Sequence, residues 1–170
     1  CDVYAMWFVK NMAIRLSRVV LRCFPILLAA AFLPAPFNIT LPPGWLSGVL
    51  FLASVTFGFL VLISFSMLIY ISAFYTISPM GIRILATSVI EFFAGAIIPI
   101  PFFPEALQPI LYALPFASMQ NTPFLIYTGH ISGFEAWRSI AAQLVWLAAL
   151  MIAGRILMKR ALKKVIVQGG

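Results

Sequence analysis

The chain has 170 residues, of which 64% are hydrophobic and 9% are charged, whereas about 25% of the residues in a typical soluble domain are charged. A soluble fold could not hide so much apolar surface, and the four acidic residues leave little material for carboxylate catalysis or a divalent-cation site. The net charge of +7 comes mainly from basic residues beside the apolar runs, which is typical of membrane proteins and argues against nucleic-acid binding. The composition therefore predicts an all-α, polytopic transmembrane helical bundle.

The N-terminal residues 1–22 form a basic amphipathic segment that we predict to be cytoplasmic. Arg15, Arg18 and Arg22 recur at intervals of three and four residues, so they share one face of a helix. Two interpretations remain open for this stripe. In the first, the segment is an interfacial helix whose arginines bind lipid phosphates. In the second, the arginines form a docking surface for a cytoplasmic partner.

Residues 23–157 are predicted to form a transmembrane domain, because a span needs about 20 apolar residues. The second predicted span would be about 46 Å long at 1.5 Å per residue, so it must tilt, kink near Gly58 or extend beyond the bilayer. Four spans are predicted, at about 23–41, 45–75, 84–98 and 136–154, with a broken region at 99–133 and a basic cytoplasmic tail at 158–170.

Glu91 lies within the third predicted span. An ionisable residue inside a span is by default a candidate functional residue. Glu91 therefore either belongs to a translocation path or is a structural carboxyl group that is hydrogen-bonded to a neighbouring helix.

The apolar stretch from Gly95 to Gly129 is interrupted by proline every few residues. Proline removes a backbone donor and breaks helices, and broken backbone at membrane depth is tolerated only where protein or a water-filled cavity shelters it. The stretch therefore predicts a re-entrant element of short helices. We expect one helix from Pro104 or Glu105 to Leu114, ended by Pro115, and a second apolar piece from Pro123 to Tyr127.

The basic residues define an orientation. Residues 10–22, Arg83 and the basic cluster 155–164 all fall on one side if the chain crosses the membrane four times. The positive-inside rule makes that side cytoplasmic. The broken region is then expected outside and the C-terminus inside.

The sequence holds none of the motifs that would make the chain an enzyme by itself. It has no phosphate-binding loop of the form Gly-x-x-x-x-Gly-Lys-Ser/Thr, no Gly-x-Ser-x-Gly nucleophile elbow, and a single histidine without metal-type companions. We predict no catalytic residues, metal or cofactor. Energy for any transport must come from a partner or a gradient.

The run from Phe92 to Pro104, the Leu114-Pro115-Phe116 step and the segment from Pro123 to Gly129 resemble the type-2 class of ABC exporter permeases. In that class a Gly…Pro…Pro run, a short helix and a Leu-Pro-Phe step lie between the last two spans. The stretch from Asp2 to Phe8, with the arginines before Pro25, is similar to the segment after the first cytoplasmic loop in a bacterial branch. The family usually has six spans, so we expect two more before this C-terminal part.

The resemblance implies a cell-membrane exporter in which two permease subunits, identical or related, join two cytoplasmic ATPase subunits. The ATPases would bind ATP and magnesium, so this chain would need no cofactor. The resemblance also implies that the broken region caps the path, so Gly95, Pro99, Pro101, Pro104 and Pro115 would form the outer gate. In such an exporter Glu91 would lie in or beside the translocation path. A cytoplasmic partner or lipid would contact Asp2, Tyr4, Arg15, Arg18 and Arg22.

Two other functions stay open from the residues alone. One is a non-transporting membrane scaffold or assembly protein, in which the prolines merely end helices. The other is a channel or a gradient-driven carrier. A proton-coupled carrier would usually show more acids inside its spans than Glu91.

Overall fold

The computed structural model describes residues 2–34, 41–76 and 78–164, and this part of the chain is helical without a strand. The all-helical prediction is confirmed. Residues 35–40 of the first predicted span and residues 165–170 of the predicted tail lie outside the described residues. The helices are α1 (Val3–Ala31), α2 (Trp45–Ser72), α3 (Pro79–Phe93), α4 (Gln108–Ala113), α5 (Pro115–Tyr127) and α6 (Gly133–Lys164), with short 3-10 turns at Ala73–Tyr75 and Ile100–Phe102.

Two stretches of the described chain are long and apolar enough to cross a membrane, Trp45–Tyr75 and Gly133–Lys163. They correspond to α2, with the turn that follows it, and to α6. The α2 helix begins at Trp45, as predicted. The α6 helix runs well past the predicted end at residue 154, because the basic residues that follow are good helix formers and continue its turns.

The α2 and α6 helices run parallel to each other and pack at both ends. Leu50 near the start of α2 packs with Ala136 and Ile140 near the start of α6. Towards the other end, Met67 and Ile71 of α2 share a buried cluster with Met158 and Ala161 of α6. Since two parallel helices need a return between them, the intervening α3 and α5 supply it.

The α1 helix is continuous for 29 residues and packs antiparallel to α2. The Trp7 ring lies 6.4 Å from that of Phe74, and the Arg15 guanidinium bonds to Ser66. The predicted boundary between residues 22 and 23 therefore falls inside one helix. Pro25 lies within α1 and does not begin it, which membrane helices tolerate when surrounding groups satisfy the freed backbone.

The α3 helix is shorter at its C-terminal end than the predicted span 84–98. It ends at Phe93, and Gly95 follows with a φ of +83°, in the left-handed region that glycine enters at no steric cost. The reversed backbone brings Ile100 against Gly95, where an added Cβ would lie 3.2 Å from the Ile100 Cγ1 atom. The chain therefore turns away five residues earlier than predicted.

The α5 helix packs antiparallel to the first half of α2. Its Tyr127 ring lies 5.0 Å from that of Phe51, and its Phe116 ring lies 5.3 Å from that of Phe65. It begins at Pro115, and Pro123, which we predicted to begin a short piece, lies inside it. The α3 helix runs beside the second half of α2, so two short helices in tandem make the return path.

Candidate functional site

A cavity of about 600 Å³, lined by both charged and apolar side chains, lies between α1, α2, α3 and α5. The α2 helix forms its floor with a mainly apolar surface that includes Phe59, Leu62 and Ile69. Ser66 is the buried polar residue of this floor, and its hydroxyl donates to the Leu62 carbonyl oxygen at 2.8 Å. The charged groups of the cavity come from the two helices at its sides.

The α1 helix contributes a polar stripe consisting of Asn11, Arg15, Arg18 and Arg22. Arg15 fixes the stripe to the floor, since its Nη2 atom donates to the Ser66 Oγ atom at 2.8 Å and its Nε atom donates to the Asn11 Oδ1 atom at 3.1 Å. Arg18 and Arg22 are exposed to the cavity side. Spacings of three and four residues place all four side chains on one helix face.

The α3 helix contributes Arg83, Thr87 and Glu91, which are four residues apart and therefore lie on one face. The Thr87 hydroxyl is used within the helix, where it donates to the Arg83 carbonyl oxygen at 2.8 Å. Glu91 makes no ion pair with any residue that the structure describes. Gln120 from α5 also lines the cavity.

The structure thus brings together residues that the sequence left in separate hypotheses. Arg15, Arg18 and Arg22 line the same cavity as Glu91. Arg83, which served only as a topology marker in the sequence, joins them. Helical spacing indicates which residues share one face of a helix, but not which faces of different helices meet.

The arginine stripe lies alongside the length of α2. Arg15 contacts Ser66, and the cavity that Arg22 lines reaches Phe59, which is close to the middle of Trp45–Tyr75. Ionisable groups at the depth of a spanning helix almost always face a water-filled cavity or the interior of a bundle. The stripe therefore extends along α2 from the level of Ser66 to that of Phe59.

Asp2 and Tyr4 lie apart from the cavity, where the start of α1 meets α6. The Asp2 side chain caps α1 by accepting from the Ala5 backbone N–H at 3.4 Å, and it lies 4.0 Å from the Arg155 Nη2 atom. Tyr4 is buried against Gly154, where a Cβ would lie 2.7 Å from the Tyr4 ring. Glycine at 154 therefore permits the contact between α1 and α6.

The predicted gate residues belong to a packed unit between α3 and α5, in which Pro115 is buried and Pro99, Pro101 and Pro104 are exposed at the surface. Gly95 reverses the chain, and Pro99 precedes a 3-10 turn in which its carbonyl oxygen accepts from the Phe102 N–H at 2.9 Å. The Pro104 carbonyl oxygen accepts from the Leu107 N–H at 2.8 Å and starts the turn before α4. Ile100 is fully buried in this unit.

Side chains satisfy the backbone that these breaks leave free. Gln108 Nε2 donates to the Pro101 and Phe103 carbonyl oxygens at 3.2 and 2.8 Å. Trp146 Nε1 of α6 donates to the Ala113 carbonyl oxygen, at the end of α4, at 3.0 Å. Pro115 then begins α5, where its missing N–H costs nothing.

Gln143 of α6 is the residue that sequence reasoning missed. It is fully buried, and its Nε2 atom donates to the Ser54 carbonyl oxygen of α2 at 3.1 Å and to the Ser118 carbonyl oxygen of α5 at 2.8 Å. One amide thus joins three helices. The sequence signal was a lone amide side chain inside the apolar run between Arg138 and Arg155.

A family model described as "ABC-2 family transporter protein" matches residues 5–169 of the chain. The chain belongs to the ABC-2 transporter family. The match confirms the resemblance to type-2 ABC permeases that the proline-rich run and the Leu-Pro-Phe step indicated. Comparisons with curated proteins and with solved structures found no match.

Membership of the ABC-2 family, together with the apolar helices, makes this chain a membrane protein of the ABC transporter permease type. Permeases of this family are generally not enzymes, and the ATPase is a separate subunit. In an ABC-2 permease, a charged cavity among the helices is the natural candidate for the functional site.

Proposed function

We propose that this chain is the membrane-spanning subunit of an ATP-driven exporter and that the cavity between α1 and α3 is part of its translocation path. The observation that carries the proposal is the cavity itself, in which Glu91 and Arg83 of α3 and three arginines of α1 line one space over α2. Ionisable residues that face a cavity inside a membrane bundle mark substrate and ion pathways. The ABC-2 family membership supplies the transport context.

In this mechanism, ATP binding closes two cytoplasmic ATPase subunits against each other, and their movement rocks the helices between inward-open and outward-open states. ATP and magnesium stay in the partner subunits. A second permease subunit completes the path, and the packed unit from Gly95 to Pro115 forms the outer gate. Asp2, exposed beside the basic end of α6, lies where a cytoplasmic partner would contact the chain. Tyr4, which we expected to make such a contact, is instead buried where α1 packs on α6.

We also propose four crossings of the cell membrane, with the C-terminus in the cytoplasm. The α1 helix would be about 43 Å long, and α3 and α5 in tandem, with 15 and 13 residues, would be about 42 Å long. Each is sufficient for a hydrocarbon core of about 30 Å. The α2 and α6 helices provide the other two crossings.

Cysteine labelling tests this topology. Starting from a chain in which Cys1 and Cys23 are serine, we expect Phe102→Cys and Phe134→Cys, both at strongly exposed positions, to react with an impermeant maleimide added to whole cells. Lys159→Cys, near the C-terminal end of α6, should react only after the cells are opened. Reaction of Lys159→Cys in intact cells, with Phe102→Cys protected, would contradict the orientation.

Glu91→Gln tests the role of the cavity in transport. We expect the variant to co-purify with its ATPase subunit like the wild type, because Glu91 has no ion pair to lose among the described residues. Its substrate-stimulated ATP hydrolysis should fall about tenfold or more, a loss of about 1.4 kcal/mol. Glu135→Gln, at the start of α6 and outside the cavity, is the matched control and should hydrolyse ATP normally.

Two results would count against the proposed function. A chain that never co-purifies with an ATPase subunit would fit a scaffold or a gradient-driven carrier instead of an ATP-driven exporter. Unchanged stimulation in Glu91→Gln would leave the carboxyl group outside the translocation path.

A further inference from the structure

We propose that the cavity binds the head group of an anionic amphiphile, a molecule with a phosphate or carboxylate group and an apolar tail. The inference rests on the proposed function, since it names the class of molecule that the path would carry. Three features of the cavity support such a ligand: the charge of its walls, the unused donors of its arginines and the apolar floor beside them.

The charge of the cavity favours an anion. Four arginines and one glutamate line it, which gives a formal net charge of +3. A low-dielectric wall on the α2 side strengthens this field, because charges interact more strongly away from bulk water. Cations are therefore repelled, and an uncharged molecule would leave the guanidinium groups without a counter-charge.

The arginines also hold unused hydrogen-bond donors. Arg15 is committed to Ser66 and Asn11, whereas Arg18, Arg22 and Arg83 make no hydrogen bond or ion pair with the residues that the structure describes. A guanidinium group offers a planar fork of N–H donors that matches carboxylate and phosphate oxygens. The stripe on α1 and Arg83 on α3 approach the cavity from opposite sides.

The floor of the cavity is suited to a tail. This floor includes Phe59 and Leu62 of α2. The side walls add apolar surface beside the charged groups through Val19 of α1 and Ile90 of α3. The cavity volume of about 600 Å³ falls within the range of about 300–1,000 Å³ that is common for small-molecule sites. A molecule with both an anionic head and a hydrocarbon tail uses both kinds of surface.

The test is a binding measurement on the full-length permease in nanodiscs of phosphatidylcholine, without the ATPase. Dodecyl phosphate is titrated, with dodecyltrimethylammonium and dodecanol as probes that share the tail but not the charge. We expect saturable binding of dodecyl phosphate only. Arg22→Gln should weaken it about tenfold, and the double variant Arg18→Gln/Arg22→Gln about a hundredfold, since each hydrogen bond to a charged group contributes about 1.5–3 kcal/mol.

Arg138→Gln is the matched control, because Arg138 is an exposed arginine near the start of α6 and does not line the cavity. Its affinity for dodecyl phosphate should equal that of the wild type. Removing charges from a membrane helix does not hinder insertion, and elution as a single symmetric peak confirms that each variant is folded. Arg22→Lys, which keeps the charge but loses the fork, should lie between the wild type and Arg22→Gln.

Adding phosphatidylglycerol to the nanodiscs distinguishes the two sources of such a ligand. If phosphatidylglycerol competes with dodecyl phosphate, the ligand is a lipid head group. If phosphatidylglycerol does not compete, the ligand is an amphiphile from outside the bilayer. Equal affinity for the three probes, or unchanged affinity in Arg18→Gln/Arg22→Gln, would overturn the inference. The binding assay contains no ATPase, so it is independent of the test of the proposed function. If the permease still co-purifies with its ATPase subunit but does not bind dodecyl phosphate, this inference is wrong and the proposed function is unaffected.

Discussion

Replacing Gly58 with valine is expected to prevent α5 from packing on α2. A Cβ atom at position 58 would lie 2.9 Å from the Met119 carbonyl oxygen and 3.0 Å from that of Ser118. Both are backbone atoms, so no side-chain rotation relieves the clash. Small residues allow such close backbone approach between membrane helices, and we expect Gly58→Val to destabilise the fold by about 3 kcal/mol, the upper end of the usual cost of overpacking.

Thermal unfolding in detergent, followed by loss of the monodisperse elution peak, measures this effect. Gly48→Ala is the matched control in the same helix, where the nearest atom to an added Cβ is the Pro42 Cγ atom at 3.5 Å, an ordinary contact. Alanine is the better helix former, so Gly48→Ala should be neutral or stabilising by up to about 1 kcal/mol. A Gly58→Val protein that unfolds at the wild-type temperature would show that α5 does not approach α2 so closely.

Gln143→Glu is expected to be a comparably damaging substitution, although the two side chains have nearly the same shape. The amide Nε2 atom now donates to the Ser54 and Ser118 carbonyl oxygens from a fully buried position. In the glutamate variant, a carboxylate oxygen would replace the donor and repel both carbonyl oxygens. The carboxylate would also be buried without a counter-charge. Burying an unpaired charge costs several kcal/mol, so we expect a loss of at least about 3 kcal/mol.

Gln143→Leu separates the charge effect from the loss of the two hydrogen bonds. It removes the donor without adding an acceptor, and the Ser54 and Ser118 carbonyl groups lie within helices. We expect a loss of about 1–2 kcal/mol. Thermal unfolding of the two variants side by side provides the measurement, and equal unfolding temperatures would show that the amide does not join the three helices as described.

The sequence indicated the apolar helix α2 almost to its ends, because its signal is length and apolarity. It placed a boundary inside α1 and ended α6 ten residues early, since basic residues interrupt the apolar signal without ending the helix. It was less reliable at the prolines. Pro123 suggested the start of an element, yet it lies inside α5, as Pro25 lies inside α1, because the fixed φ of proline is compatible with a helix. Pro115 marks a true boundary, because α4 ends at Ala113 and α5 begins at Pro115.

The sequence indicated several residues of the candidate site but not that they line one cavity. Glu91 stood out because an acid inside an apolar run is expensive, and the arginine stripe stood out through its spacing. Their shared cavity depends on the antiparallel packing of α1 on α2, which the Arg15 to Ser66 bond fixes across 51 residues of chain. No local pattern encodes so distant a pairing, and the same holds for Gln143, whose acceptors lie 89 and 25 residues away.

The parallel course of α2 and α6 has an electrostatic consequence. Each helix carries about half a negative charge at its C-terminal end, and in a parallel pair these two ends point to the same side and repel. The last turn of α2 has no basic residue of its own. Lys159 and Arg160 lie at the level of α6 where Met158 and Ala161 pack with Ile71 of α2. Positive charge thus lies at the level of the α2 C-terminal end, where a helix dipole favours it.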